Sequence, residues 1–209
     1  YTLTICGRDG KDQTYQIGSL IELIWGIENP AAIINKIADK NIHIITLTIT
    51  EGGYNIAKAT NEFMLDNENI KYDLTHPQSP KTTFGFVAEG LRKRKAVGNG
   101  PITILSCDNL QHNGNTARKA FLSFFQAQDP ELAEWATVNI TFPNSMVDRI
   151  TPSTQPEDII RLNTQNGTQD GAPVYCEDFI QWVVEDKFIA GRPAWETVSY
   201  THLTLPTIL

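Results

Sequence analysis

The 209-residue sequence contains no apolar run approaching the ~20 residues that a membrane-spanning helix needs, so a helical membrane protein is excluded. It has no excess of positive charge. Asp and Glu number 24 against 17 Lys and Arg, a formal net charge of −7, and that balance argues against a nucleic-acid partner. Cysteine is scarce: Cys6, Cys107 and Cys176 are widely scattered, without metal-type spacing and without the density of a disulfide framework. Reduced thiols of a cytoplasmic protein are expected. The four histidines (His43, His76, His112 and His202) do not cluster, so no metal site is expected. The Gly-x-Gly-x-x-Gly and Walker A nucleotide loops, the Gly-x-Ser-x-Gly elbow and the His-Glu-x-x-His metal motif are all missing. What is present is an ordinary globular composition, 41% apolar and 20% charged, enough for a real core.

The local patterns alternate between strand and helix. Tyr1 to Cys6 and Thr14 to Ile17 flank turn residues Gly7 to Gly10 and predict a hairpin. Ser19 precedes a short apolar run, Leu20 to Trp25, that reads as a capped element ending at Gly26. Asn29-Pro30 predicts the start of a helix bearing Ala32, Ile33 and Ile37. Ile42 to Thr50 is the strongest strand pattern and runs into Glu51-Gly52-Gly53-Tyr54. Residues 57 to 80 read as loop with one helical turn, and Lys81 to Val97 as a helix with a solvated basic end at Arg92 to Lys95. A second buried strand, Ile102 to Leu105, leads into Ser106-Cys107-Asp108-Asn109. A helix from Asn115 to Gln126, another from Pro130 to Trp135, and a third strand, Val138 to Phe142, follow. Arg161 to Ala172 reads as turn-prone, and Val174 to Phe188 as a strand followed by a helix. The expected fold class is therefore α/β, a mostly parallel sheet covered by helices.

Open sheets of this kind bind ligands beyond the carboxyl ends of their strands. Glu51, Asp108, Asn109, His112, Asn113, Asp148 and Arg149 all follow predicted strands. Amides and carboxylates there suit a hydroxylated ligand, since each can fix a hydroxyl's donor and acceptor together. An Asn can also donate to a carbonyl oxygen that gains negative charge during hydride transfer. On the residues alone, the reading stops at an α/β domain with a small-ligand crevice.

Four motifs go further. Thr48-Ile49-Thr50-Glu51-Gly52-Gly53-Tyr54; Ser106-Cys107-Asp108-Asn109-Leu110 with Asn113-Gly114; and Phe142 through Pro152, with Ser145-Met146-Val147-Asp148-Arg149 at its centre, resemble the mannitol dehydrogenase family. The fourth, Cys176-Glu177 through Gln181-Trp182-Val183 and Glu185 to Phe188 to Gly191-Arg192-Pro193-Ala194-Trp195-Glu196, continues the match. These are polyol-specific long-chain dehydrogenases, a family that includes fructuronate and tagaturonate reductases and arabinitol dehydrogenases. The resemblance implies metal-free hydride transfer between NAD, or alternatively NADP, and the secondary alcohol of a sugar alcohol or sugar acid. It implies a Rossmann-like domain joined to a helical carboxyl-terminal domain, a polyol or keto-sugar substrate between them, and a monomer. It places Asn109 as the donor to the substrate carbonyl, Asp148 on a substrate hydroxyl, Val147 near the nicotinamide and Glu51 at the cofactor crevice. Arg149 would hold its loop together. The stretch His76 to Thr82 resembles the mannitol 2-dehydrogenase branch, which makes mannitol and fructose the favoured pair.

The match also implies absences. The family's phosphate loop, Gly-x-Gly-x-Phe-x-Arg-x-His, would lie before Tyr1, and its general-base Lys, in Lys-x-x-x-x-Asn-x-x-His, would follow Glu196. Residues 1–198 are thus expected to be a partial Rossmann-like domain, incomplete at its amino end and without the helical domain. Residues 199–209 resemble a translated sequencing adapter. Such a piece is expected to be inactive, and aggregated or molten, since an open sheet lacking strands exposes apolar surface and an unpaired edge. The competing class is a non-catalytic sugar- or nucleotide-binding module. Reading the source DNA across the Val198 codon should show the frame continuing into Lys-x-x-x-x-Asn-x-x-His. A genomic stop after Leu209 would remove the catalytic reading and favour the binding module.

Overall fold

A computed structural model describes residues 1–197 and 202–204, without the side chains of Val147, Asp148, Glu196 and residues 202–204. In chain order the first elements are β1 (Thr2–Cys6), β2 (Gln13–Gln16), α1 (Pro30–Ala38), β3 (Ile44–Leu47), α2 (Thr50–Gly53), α3 (Glu68–Thr75) and α4 (Thr83–Ala96). Then come β4 (Ile102–Ser106), α5 (Asn113–Gln128), α6 (Pro130–Asn139), β5 (Ile140–Thr141), β6 (Ser145–Asp148), α7 (Pro156–Asn166), β7 (Val174–Glu177), β8 (Gln181–Glu185) and β9 (His202–Thr204). They divide into two compact units, one of residues 1–23 with 148–181, the other of residues 24–147 with those from Trp182 on.

In the first unit the β1–β2 hairpin is antiparallel, and β1 pairs in parallel with β7, Ile5 opposite Cys176. Helix α7 is opened by Pro156 and a capping box between Gln155 and Asp158, and closed by Gly167 at φ 64°. The turn-prone reading of 161–172 missed this helix because its polar face hides the periodicity, though the cap residues were there to find.

The second unit is built on β4. All five of its residues are buried, the condition of a central strand covered on both faces. It pairs in parallel with β3 on one side and β5 on the other. Phe121, Phe124 and Phe125 of α5 and Phe84, Val87, Ala88 and Leu91 of α4 fill the core around it. Phe84 meets Phe121 at 4.9 Å and Phe63 at 5.1 Å, distances at which ring pairs add to plain burial. α4 lies against α1 so closely that a Cβ on Gly90 would stand 2.5 Å from Ile37. This Rossmann-like, mostly parallel α/β arrangement is the one expected, although the strands of the described residues form three three-stranded sheets.

Several local expectations differ. The run Leu20 to Trp25 forms neither helix nor strand, and Ile21 is 96% exposed. It is too short to nucleate a helix without an apolar face to pack against. The strand expected over Val138 to Phe142 is only Ile140–Thr141, because α6 runs on through Asn139. The helix expected before Phe188 is instead strand β8, next to β6 and β9. Arg94, expected to be solvated, is 1% exposed. Its guanidinium donates to the carbonyls of Ile37, Asp39, Gly100 and Pro101 and so closes the end of α1 and the turn before β4. The other side of α4 is tied by Arg92, which pairs with Glu89 and, at 3.0 Å, with Asp129.

Asp129 caps α6 by accepting from Leu132 N–H at 3.1 Å. Burial would raise its carboxyl pKa, but the Arg92 guanidinium and the Leu132 amide outweigh burial and hold it below the usual value. A lowered folded pKa stabilises the fold fully above the unfolded value of about 4, and that contribution is lost as pH falls through the folded value. Asp129→Asn keeps the cap and removes the charge. The substitution should lower Tm near neutral pH and flatten the fall of Tm below about pH 4. Parallel acid limbs for the two proteins would contradict this.

Candidate active site

The carboxyl ends of β3, β4 and β5 open onto three turns, and two buried side chains tie those turns together. Asp108, 8% exposed, accepts from the backbone N–H of Thr50 at 2.8 Å and Ile49 at 3.2 Å, and from the Tyr54 hydroxyl at 2.6 Å. These bonds divert the chain from β3 into the one-turn α2, which is why the strand ends at Leu47 rather than at Thr50. Thr50 is held at φ 65°, in the left-handed region that a β-branched residue seldom occupies. The Tyr54 hydroxyl, fully buried, also lies 2.5 Å from Ser106 Oγ. Burial first, and then the hydrogen bond to Asp108, push its pKa far up, so it remains a donor.

Asn113 forms the second tie. Its Nδ2 donates to the carbonyls of Ser106 and Asp108, both at 3.1 Å, and to Ser145 Oγ at 3.3 Å. Its Oδ1 accepts from Gly114 N–H at 2.8 Å and Ser145 N–H at 2.9 Å. Ser145 Oγ donates to the Ser106 carbonyl at 2.5 Å. The start of α5 is pressed against the chain after β5: a Cβ on Gly114 would lie 2.4 Å from the Pro143 carbonyl oxygen. Beyond Ser145, Glu185 receives Asn144 N–H at 2.9 Å while its own N–H donates to the Asn144 carbonyl. Burial would raise the Glu185 carboxyl, but Asn144 and Lys187 outweigh it and hold the pKa low.

This geometry sorts the polar residues expected to bind ligand. Asp108 and Asn113 are buried and spent on the protein's own groups, which corrects their expectation as ligand-facing residues. Asn109, next to Asp108, is exposed, and its side chain makes no hydrogen bond among the described residues. His112 is exposed at φ 52°, just before α5. Glu51 is exposed on α2 and pairs with Lys58 at 3.2 Å. Arg149 donates from Nε to the Phe179 carbonyl at 3.1 Å. Val147 and Asp148 belong to β6, and their side chains lie outside the described residues. A cleft of about 450 Å3 opens beside α2, lined by Ile49, Gly52, Gly53, Asn55, Thr82 and Phe84 among others. Among the described residues no group of His, Cys, Asp and Glu could hold a metal ion, and no helix is long and apolar enough to cross a membrane.

Cys107 is the one thiol at this edge. Burial, and then the Asp108 carboxylate, push its pKa up to about 11. A thiol so raised carries little thiolate near neutrality and is a poor nucleophile. Iodoacetamide at pH 8 should label Cys107 more than about tenfold more slowly in the folded protein than in denaturant. Equal rates would show that the site leaves the thiol reactive.

Known proteins share this chain's sequence and fold. The model of the mannitol dehydrogenase Rossmann domain family matches residues 1–197. The polyol:NADP oxidoreductase of Gluconobacter oxydans (strain 621H) is 47% identical over 196 residues, which are 94% of this chain and 40% of that protein. The crystal structure of a D-sorbitol dehydrogenase in substrate-free form superposes with a TM-score of 0.95 at 46% identity, over 98% of this chain and 42% of that one. The Pseudomonas fluorescens mannitol 2-dehydrogenase, in ternary complex with NAD and D-mannitol, gives 0.91 at 45% identity, over 98% and 41%. This chain spans about two-fifths of the length of these relatives.

Proposed function

The chain belongs to the mannitol dehydrogenase family, and from that membership we propose that its parent protein transfers hydride between NAD or NADP and the secondary alcohol of a sugar alcohol, with mannitol and fructose the favoured pair. Residues 1–198 are read as the partial Rossmann-like domain of a cytoplasmic, monomeric enzyme. The observation that carries the reading is Asn109: an exposed amide with no hydrogen-bond partner among the described residues, at the carboxyl end of the central parallel strand, on a turn held by its buried neighbours.

The residues present fit a nicotinamide cofactor. Parallel strands ending at one edge provide the crevice that dinucleotides occupy in such sheets. Bound there, the nicotinamide would supply or accept the hydride. Asn109 would donate from Nδ2 to the substrate oxygen, whose negative charge grows as the carbonyl is reduced. Its rigid turn means that little reorganisation accompanies the reaction. Asp148 would accept from a neighbouring substrate hydroxyl, and Val147 would present an apolar surface to the nicotinamide ring. Glu51, exposed and paired with Lys58, would lie toward the cofactor's side of the crevice.

The parent protein should oxidise D-mannitol with NAD or NADP in the absence of any metal. Asn109→Ala should lower kcat by about 10²- to 10³-fold, the usual cost of removing one oxyanion donor, with a much smaller change in KM. Turnover of sorbitol or a sugar acid in place of mannitol would reassign the substrate. Polyol binding without any NAD(P)-dependent turnover would favour the binding-module reading instead.

A further inference from the structure

Building on the hydride transfer read above, we propose that Asn113 is a specificity-determining positioning residue. It sets the spacing between the turn of Asn109 and the start of strand β6 at Ser145, and thereby discriminates between polyols that differ in the configuration of one hydroxyl.

The argument begins with what this one amide holds. Asn113 is fully buried, so its side chain is not open to solvent. A primary amide has two N–H donors and two acceptor lone pairs. The Oδ1 lone pairs are both used, and three acceptors surround the Nδ2 hydrogens. The partners are not scattered. Two are carbonyls at the end of β4, and one of those belongs to Asp108, whose peptide bond leads into Asn109. Two are the N–H and Oγ of Ser145, the first residue of β6. Asn113 therefore measures the gap between the turn that presents Asn109 and the strand that presents Val147. The tie is closed a second time by Ser145 Oγ on the Ser106 carbonyl. Gly114 admits the close approach from the α5 side.

A spacer of this kind acts on selectivity more than on affinity. In the hydride transfer read above, the reacting carbon meets Asn109 while a residue that follows Ser145 accepts from a neighbouring hydroxyl. Misplacement by about 1 Å can cost about 10²-fold in rate. Epimers at the carbon next to the reacting one differ in where that hydroxyl points, so a change in the gap affects them unequally.

The test compares the parent protein with Asn113→Asp and Ser145→Ala, each loaded with its cofactor, on D-mannitol and D-sorbitol. Asn113→Asp keeps size and acceptors and removes the Nδ2 donors. Ser145→Ala removes only the hydroxyl and leaves the backbone N–H bond, so it serves if the buried carboxyl prevents folding. The expected result is a fall in kcat of about tenfold with cofactor Kd unchanged, and a shift of about fivefold or more in the ratio of kcat/KM for the two polyols. A purely structural role would lower Tm and the active fraction, which scales both substrates alike and leaves their ratio where it was. A ratio within twofold of the unaltered protein in a folded variant overturns the inference alone. Absence of polyol turnover by the unaltered protein overturns the proposed function and this inference with it.

Discussion

The arrangement of the candidate site depends on polar side chains that water does not reach. Asp108 and Asn113 gather backbone N–H and C=O groups that three turns would otherwise leave unpaired at the end of a buried sheet. An unsatisfied buried polar group costs about 1–3 kcal/mol, so each tie removes several such penalties. It also removes freedom. With both carboxylate oxygens of Asp108 and every hydrogen-bonding position of Asn113 engaged, the turns have one mutual arrangement. Asn109 is exposed on a support that these ties hold, the preorganisation that the electrostatic donor proposed above would require.

The same economy operates at the other end of the second unit. Arg94 makes no salt bridge among the described residues, although the Asp39 carboxylate acts on it from a distance; four backbone carbonyls receive its guanidinium. Burying a charge is expensive, and hydrogen bonds to charged groups are the stronger kind, about 1.5–3 kcal/mol each. Apolar packing between α1 and α4 makes the space, and Arg94 fills its polar end. The core around β4 and the polar ties at both of its ends are therefore one construction: the strand is buried along its length, and its two ends are where buried side chains must satisfy the turns.

The readable part of this chain was its alternation and its punctuation. Asn29-Pro30 and Pro130 mark element boundaries by chemistry that acts within a few residues, and the structure uses Asn29 as a cap and starts α6 at Pro130. Tyr54, Ser106 and Ser145 were harder to assign, though each sits in a motif that carried the family resemblance. Their partners lie 52, 39 and 32 residues away in sequence, and no local pattern reports such pairing. Arg94 was misread for the same reason, since a basic residue in the last turn of a helix has a sufficient local explanation in the helix dipole. Leu20 to Trp25 erred the other way: an apolar run predicts burial, but burial needs a surface to pack against.

By itself the sequence determined the fold class, the main strand and helix alternation from β3 to β5, the family and the turn on which Asn109 stands, because periodicity, capping and motif order are local and survive without coordinates. Tertiary structure decided which polar residues remain free. Asp108, Asn109 and Asn113 are neighbours of similar chemistry in one motif, and nothing in their order separates them. The direction in which each side chain leaves the end of β4 does: inward for Asp108 and Asn113, where backbone groups take their hydrogen bonds, and outward for Asn109, which meets no partner among the described residues.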